Sequence, residues 1–71
     1  MEIKFSDHAR KRIRERGIEG WEVEETLKHP RYIKKTFDKR IIAVGELKNR
    51  KLKIVFTKED NYLKVISVMF L

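Results

Sequence analysis

Between Ser6 and Ile18 the chain reads Ser-Asp-His-Ala-Arg-Lys-Arg-Ile-Arg-Glu-Arg-Gly-Ile. His8, Arg12 and Arg16 recur every four residues. On a helix each step of four advances the angle by only ~40°, so the three share one ridge. Ala9 and Ile13 form an apolar seam beside it. One helix can then dock on a core and still present imidazole and guanidinium groups at its margin. Imidazole exchanges protons near neutral pH, and guanidinium grips phosphate. The combination points to work on nucleic acid.

Each of these residues has two readings. His8 is either a general acid or base, or a donor to phosphate, with Arg12 one turn away, or a partly buried ring that satisfies a backbone carbonyl and fixes the helix to the sheet. For a single histidine the second reading leads. Arg12 and Arg16 are either phosphate clamps or partners of the glutamates that follow in the next helix. Arg16 leans to the structural role, and Arg12 is evenly balanced. Arg10, Lys11 and Arg14 fall away from the seam. They are a solvated face, or they join Arg40, Arg50, Lys51 and Lys53 in a basic groove. Tyr32 and Tyr62 can stack on bases or pack across strands. Trp21 reads as core or an interface anchor, and His29 beside Pro30 as a turn residue.

The elements that position these side chains follow from capping and periodicity. Ile3 and Phe5 alternate with Glu2 and Lys4 in a short first strand. Ser6 is a good N-cap, Asp7 suits the helix dipole, and Gly17 suits the left-handed residue after a helix. These signals predict helix 1 over 7–16. Helix 2 is expected over 20–28, with Glu19 a mediocre cap and Ile18 and Val23 at staple spacing. Pro30 ends it. Strands follow at 32–37, 40–47, 51–57 and 62–70, with turns at Asp38-Lys39, Asn49-Arg50 and 59–61. Leu52, Ile54 and Phe56 share one face of the third of these strands, with Lys51 and Lys53 on the other. Strand 40–47 offers apolar residues in both registers. So does the last strand, with Leu63, Val65 and Met69 against Ile66, Val68 and Phe70. A strand apolar on both faces is central or covered by a partner, which admits a homodimer or another protein.

Seventy-one residues make one domain, 1–71, with a small core. The chain is 41% apolar and 41% charged, with a formal net charge of +7. The acids cluster at Glu19, Glu22, Glu24 and Glu25, and the bases at 10–16 and from Lys28 to Lys53. Such segregation produces a directional field that attracts polyanions, RNA or DNA foremost. Without Cys, disulfides and thiolate metal sites are excluded. The two His lie far apart in sequence, so no metal centre and no cofactor is expected. Abundant Lys and Glu with few Asn and no Gln resemble heat-adapted usage. No apolar run is long enough to span a bilayer. Glu2, Lys4 and Asp7 interrupt the start, so no signal peptide and a cytoplasmic location are expected.

The stretch Phe5-Ser6-x-His8-Ala9-x-x-Arg12-x-x-x-Arg16-Gly17-Ile18 resembles a family of small microbial domains of unknown function. The resemblance continues through Val23, Leu27 and Pro30, residues 40–44, 52–56 and 65–68, and so covers essentially the whole chain. That family looks like a branch of the RelE/ParE/BrnT-like toxin superfamily. The resemblance implies an α+β fold, β-α-α-β-β-β-β, with a helical hairpin packed on a twisted antiparallel sheet. It carries over by position only to His8, Arg12, Arg16 and Gly17, without assigning them a catalytic role. The chain ends at Leu71 directly after the last strand, so the C-terminal extension that holds catalytic residues in some toxins is not expected.

Together these readings lead to an RNA-directed, toxin-like protein, with metal-independent RNA cleavage as its strongest form. Such cleavage needs a proton acceptor at the 2′-OH and cations at the scissile phosphate. His8, Arg12, Arg40 and Lys53 are the candidates. The binding set is Arg10, Lys11, Arg12, Arg14, Arg16, Arg40, Arg50, Lys51 and Lys53, with Lys58 and Lys64 expected to contribute less. The alternative is a non-catalytic module that binds nucleic acid or an acidic, antitoxin-like protein.

Overall fold

The computed structural model describes residues 1–71. It contains β1 (Glu2–Phe5), α1 (Asp7–Arg16), α2 (Gly20–Lys28), β2 (Tyr32–Lys35), β3 (Ile41–Leu47), β4 (Arg50–Lys58) and β5 (Tyr62–Phe70). Both helices begin and end where their caps place them. The Ser6 hydroxyl accepts from the Ala9 N–H at 3.0 Å, and Gly17 closes α1 at φ 64. Glu19 makes no side-chain cap bond. The start of α2 is held instead by Ile18 and Val23, both buried. Neither helix is long and apolar enough to cross a membrane.

The strands form one sheet in the order β1-β5-β4-β3-β2. From β2 to β5 it is the expected antiparallel meander. β1 departs from expectation. It lies parallel to β5, Ile3 opposite Leu63 and Phe5 opposite Val65, so the sheet is mixed rather than wholly antiparallel. Alternation in Glu2–Phe5 says which face is apolar but not which strand is the partner or in which direction it runs. Strand boundaries also move: β3 starts one residue later than expected, and β4 extends by one residue at each end. β2 stops at Lys35, leaving Phe37 fully exposed in the turn. The β3–β4 turn centres on Lys48 and Asn49, at φ 53 and 64. Two successive positive-φ residues make a two-residue turn of primed type, whose twist matches that of paired strands.

Both helices pack on one face. Ala9, Ile18 and Val23 meet Ala43, Leu52, Ile54, Phe56, Val65 and Val68 there. The ambiguity of the last strand is settled by a register shift. Val55 pairs with Ser67, but Phe56 pairs with Val65, which leaves Ile66 as an extra residue in β5. A bulge of this kind resets the alternation. Leu63 and Val65 face the helices before it, and Val68 and Phe70 after it, so two of the three residues in each apolar set are used. Ser6 sits at the same point. Its N–H donates to the Val65 carbonyl at 2.9 Å and its hydroxyl to the Ile66 carbonyl at 3.1 Å.

α2 crosses β3 at Gly45. A Cβ there would lie 2.9 Å from Thr26 Cγ2 and 3.2 Å from Thr26 Oγ1. Thr26 is itself buried, with its hydroxyl donating to the Glu22 carbonyl at 2.8 Å, so it has little freedom to yield. Gly45→Ala is therefore expected to destabilise the fold by ~1–3 kcal/mol in chemical denaturation. Adding Thr26→Ser, which removes the nearest methyl, should recover part of the loss. A single variant as stable as the parent would contradict this close approach.

Candidate nucleic-acid interface

No helix covers the second face of the sheet. Alternation and register place on it Glu2 and Lys4 of β1, Tyr32 and Lys34 of β2, and Ile42, Val44 and Glu46 of β3. β4 adds Lys51, Lys53, Val55 and Thr57, and β5 adds Tyr62, Lys64, Ser67 and Met69. One row runs Tyr32, Val44, Lys53, Met69 across the sheet, and the next Lys34, Ile42, Val55, Ser67. Val44 is only 3% exposed although no helix lies over it; Tyr32 and Lys53 flank it in register. Lys4 Nζ stands 4.4 Å over the Tyr62 ring. The Glu46 carboxylate is paired with Arg31 at 2.7 Å. Arg31, Tyr32, Val44, Gly45, Lys51 and Leu71 line a pocket of about 370 Å³. The face is thus cationic and partly apolar, and one of its two carboxylates is already neutralised.

The basic helix lies on the other side. α1 packs against β5 and β1, and Arg10, Lys11 and Arg14 point away from the core into solvent. Arg12 forms an ion pair with Glu15 at 2.7 Å. That hydrogen bond holds the Glu15 carboxyl below the usual carboxylate range. Arg16 pairs with no glutamate of α2 and reaches the sheet instead. Its Nη1 donates to the Val68 carbonyl at 2.7 Å. His8 is exposed, which corrects the reading of a partly buried ring. The carbonyl ties between α1 and the sheet come from Ser6 and Arg16 instead.

Arg50 turns to the helical side. Its Nη2 lies 3.4 and 3.5 Å from the two Glu22 carboxylate oxygens, and its guanidinium stands 4.3 Å over Phe70. Lys48 Nζ is 3.4 Å from the same carboxylate and 5.0 Å over the Trp21 ring. Glu22 is buried and fastens the start of α2 to the β3–β4 hairpin. Trp21 is 47% exposed, so it is not core. Arg40 lies at the far end of the sheet, its Nε 3.7 Å from Asp38.

The anticipated groove is therefore not assembled. Of the expected binding set only Lys51 and Lys53 share the open face. The four catalytic candidates are divided: His8 and Arg12 in the helical layer, Lys53 across the sheet, Arg40 beside the β2–β3 turn. Lys4, Lys34 and Lys64 belong to the open face and were not singled out from sequence. Their signal was the two-residue alternation, in register with Lys51 and Lys53. Lys64, expected to matter less, stands on the same face as Lys53.

A family model described as a domain of unknown function, DUF4258, matches residues 5–70. No curated protein and no solved structure matches the chain. The matched span takes in both helices, the β2–β5 meander and the Ser6 junction.

The contacts of α1 separate its side chains by thermal stability. His8→Ala should leave stability within ~0.5 kcal/mol of the parent. Arg16→Ala should lose ~1–2 kcal/mol, because the Val68 carbonyl is left without its charged donor. The reverse order in thermal melts would restore His8 as the tie between helix and sheet.

Proposed function

We propose that this chain, which belongs to the DUF4258 family, binds single-stranded RNA across the open face of its sheet. One observation carries the reading. Lys4, Lys34, Lys51, Lys53 and Lys64 share that face, interleaved with Ile42, Val55, Met69, Tyr32 and Tyr62. Phosphates find cations there, and unstacked bases find apolar and aromatic surface. The net charge of +7 supplies the long-range attraction.

Binding without cleavage is the form we favour. Cleavage needs a proton acceptor and phosphate-binding cations around one scissile bond. His8 and Lys53 lie on opposite sides of the sheet, which speaks against a shared centre built from them. The half-buried strip of Ile42, Val55 and Met69 inside a lysine rim also favours a second reading, an acidic, antitoxin-like protein seated on the same face. A second copy of this chain is disfavoured there, because lysines would meet lysines.

The test is a fluorescence titration of labelled oligouridylate at a series of salt concentrations. Affinity should fall steeply with salt. Lys51→Ala and Lys53→Ala should each lower the logarithmic salt slope by ~0.7, the value for one phosphate contact on a single strand. Lys11→Ala and Arg14→Ala should change it little. Absence of binding at low salt, or larger losses from the α1 variants, would overturn the reading.

A further inference from the structure

The helices leave one end of their own side of the sheet uncovered. There the β2–β3 turn and the last residue of β4 border a pocket of about 270 Å³, lined by Lys35, Thr36, Lys39, Arg40, Ile41 and Lys58. Lys35 pairs with Ile41, and Lys58 with Leu63. Ile41 and Leu63 both pack against the core, so these two lysines leave the sheet on the helical side, not on the open face. Four of the six lining residues are cationic, and none is an acid. Of the neighbouring carboxylates, Asp38 lies 3.7 Å from Arg40 Nε and offsets part of that charge, which leaves Lys35, Lys39 and Lys58 without an acidic partner; both Asp38 and Glu59 are also engaged by threonines. Asp38 accepts from the Thr36 hydroxyl and Glu59 from the Thr57 hydroxyl. The Thr36 bond is the main cause that holds the Asp38 carboxyl below its usual range.

Lys39 adds an independent observation. It sits at φ 69, a left-handed conformation that glycine, or asparagine, adopts with less strain. A lysine held there places a charge at the pocket rim at some conformational expense. Like charges gathered around an apolar floor repel one another, and a multivalent anion relieves that repulsion while accepting several charge-assisted hydrogen bonds.

We propose that this pocket is a phosphate site, taking an anion with at least two negative charges. The shared chemistry has two sources, the terminal phosphate of a nucleic-acid strand and a free polyphosphate. The site is separate from the open face and does not depend on RNA binding there.

The experiment is an NMR titration of the full chain with inorganic pyrophosphate at fixed ionic strength, with chloride as the matched control. Amides of residues 35–41 and of Lys58 should shift, and those of Lys51 and Lys53 should not. Lys39→Gly removes the charge and relaxes the turn, so the variant folds. It should weaken binding roughly fivefold or more, and Lys58→Gln likewise, since one charge-assisted contact is lost in each. Lys11→Gln should leave the affinity unchanged. Two oligouridylates then distinguish the sources. A 5′-phosphorylated strand that binds tighter than its 5′-hydroxyl counterpart, with the advantage lost in Lys39→Gly, identifies a strand end. Equal binding of the two strands, with the pyrophosphate response intact, identifies a free polyphosphate. Pyrophosphate shifts that are absent, centred elsewhere, or unaltered in both Lys39→Gly and Lys58→Gln would overturn the proposal. Loss of RNA binding with these shifts retained would overturn only the reading of the open face.

Discussion

The Ser6 hydroxyl ties the start of α1 to the bulge of β5. Ser6 Oγ accepts from the Ala9 N–H and donates to the Ile66 carbonyl, so one side chain caps α1 and satisfies the backbone of β5 at its bulge. The bulge lets Val65 and Val68 both enter the core although they are three residues apart. It also turns Ser67 and Met69 outward. β1 is only four residues long and leaves the rest of the β5 edge without a strand. Arg16 reaches that edge and takes the Val68 carbonyl. A bare sheet edge invites pairing with another chain, and here the helix that follows β1 covers it.

Two helices of ten and nine residues cover most of one face of a five-stranded sheet and leave bare only the end beside the β2–β3 turn. Gly45 lets α2 lie directly on β3, and buried Glu22 draws Lys48 and Arg50 onto the start of that helix. Burying a carboxylate is tolerable only when cations stay beside it, so these two positive charges serve the architecture. The lysines across the sheet have no comparable partners apart from the Lys4–Tyr62 contact.

Much of this was legible in the chain. Ser6 and Gly17 fixed α1, Ile18 and Val23 fixed the entry to α2, and Leu52, Ile54 and Phe56 oriented β4, each through a local rule of capping or alternation. Alternation is silent about partners, so the parallel docking of β1 on β5 could not be read from Glu2–Phe5. The bulge was hidden because β5 is apolar in both registers, and either unbroken alternation looked acceptable. A helical ridge shows that His8, Arg12 and Arg16 lie together. The ridge alone does not separate them from Lys51 and Lys53; that takes the apolar seam of Ala9 and Ile13 docking on the face of Leu52, Ile54 and Phe56. The cluster of Lys35, Lys39, Arg40 and Lys58 joins a hairpin turn to the end of a strand nearly twenty residues later, a proximity that only strand pairing creates.

On the proposed function, the open sheet face rather than the basic helix meets RNA. Mapping amide chemical shifts of the full chain on addition of oligouridylate tests it most directly. The largest changes are expected at Lys51, Lys53, Val55, Ser67 and Met69, with Arg10, Lys11 and Arg14 nearly still. Changes concentrated along residues 8–16, with β3, β4 and β5 unaffected, would contradict it.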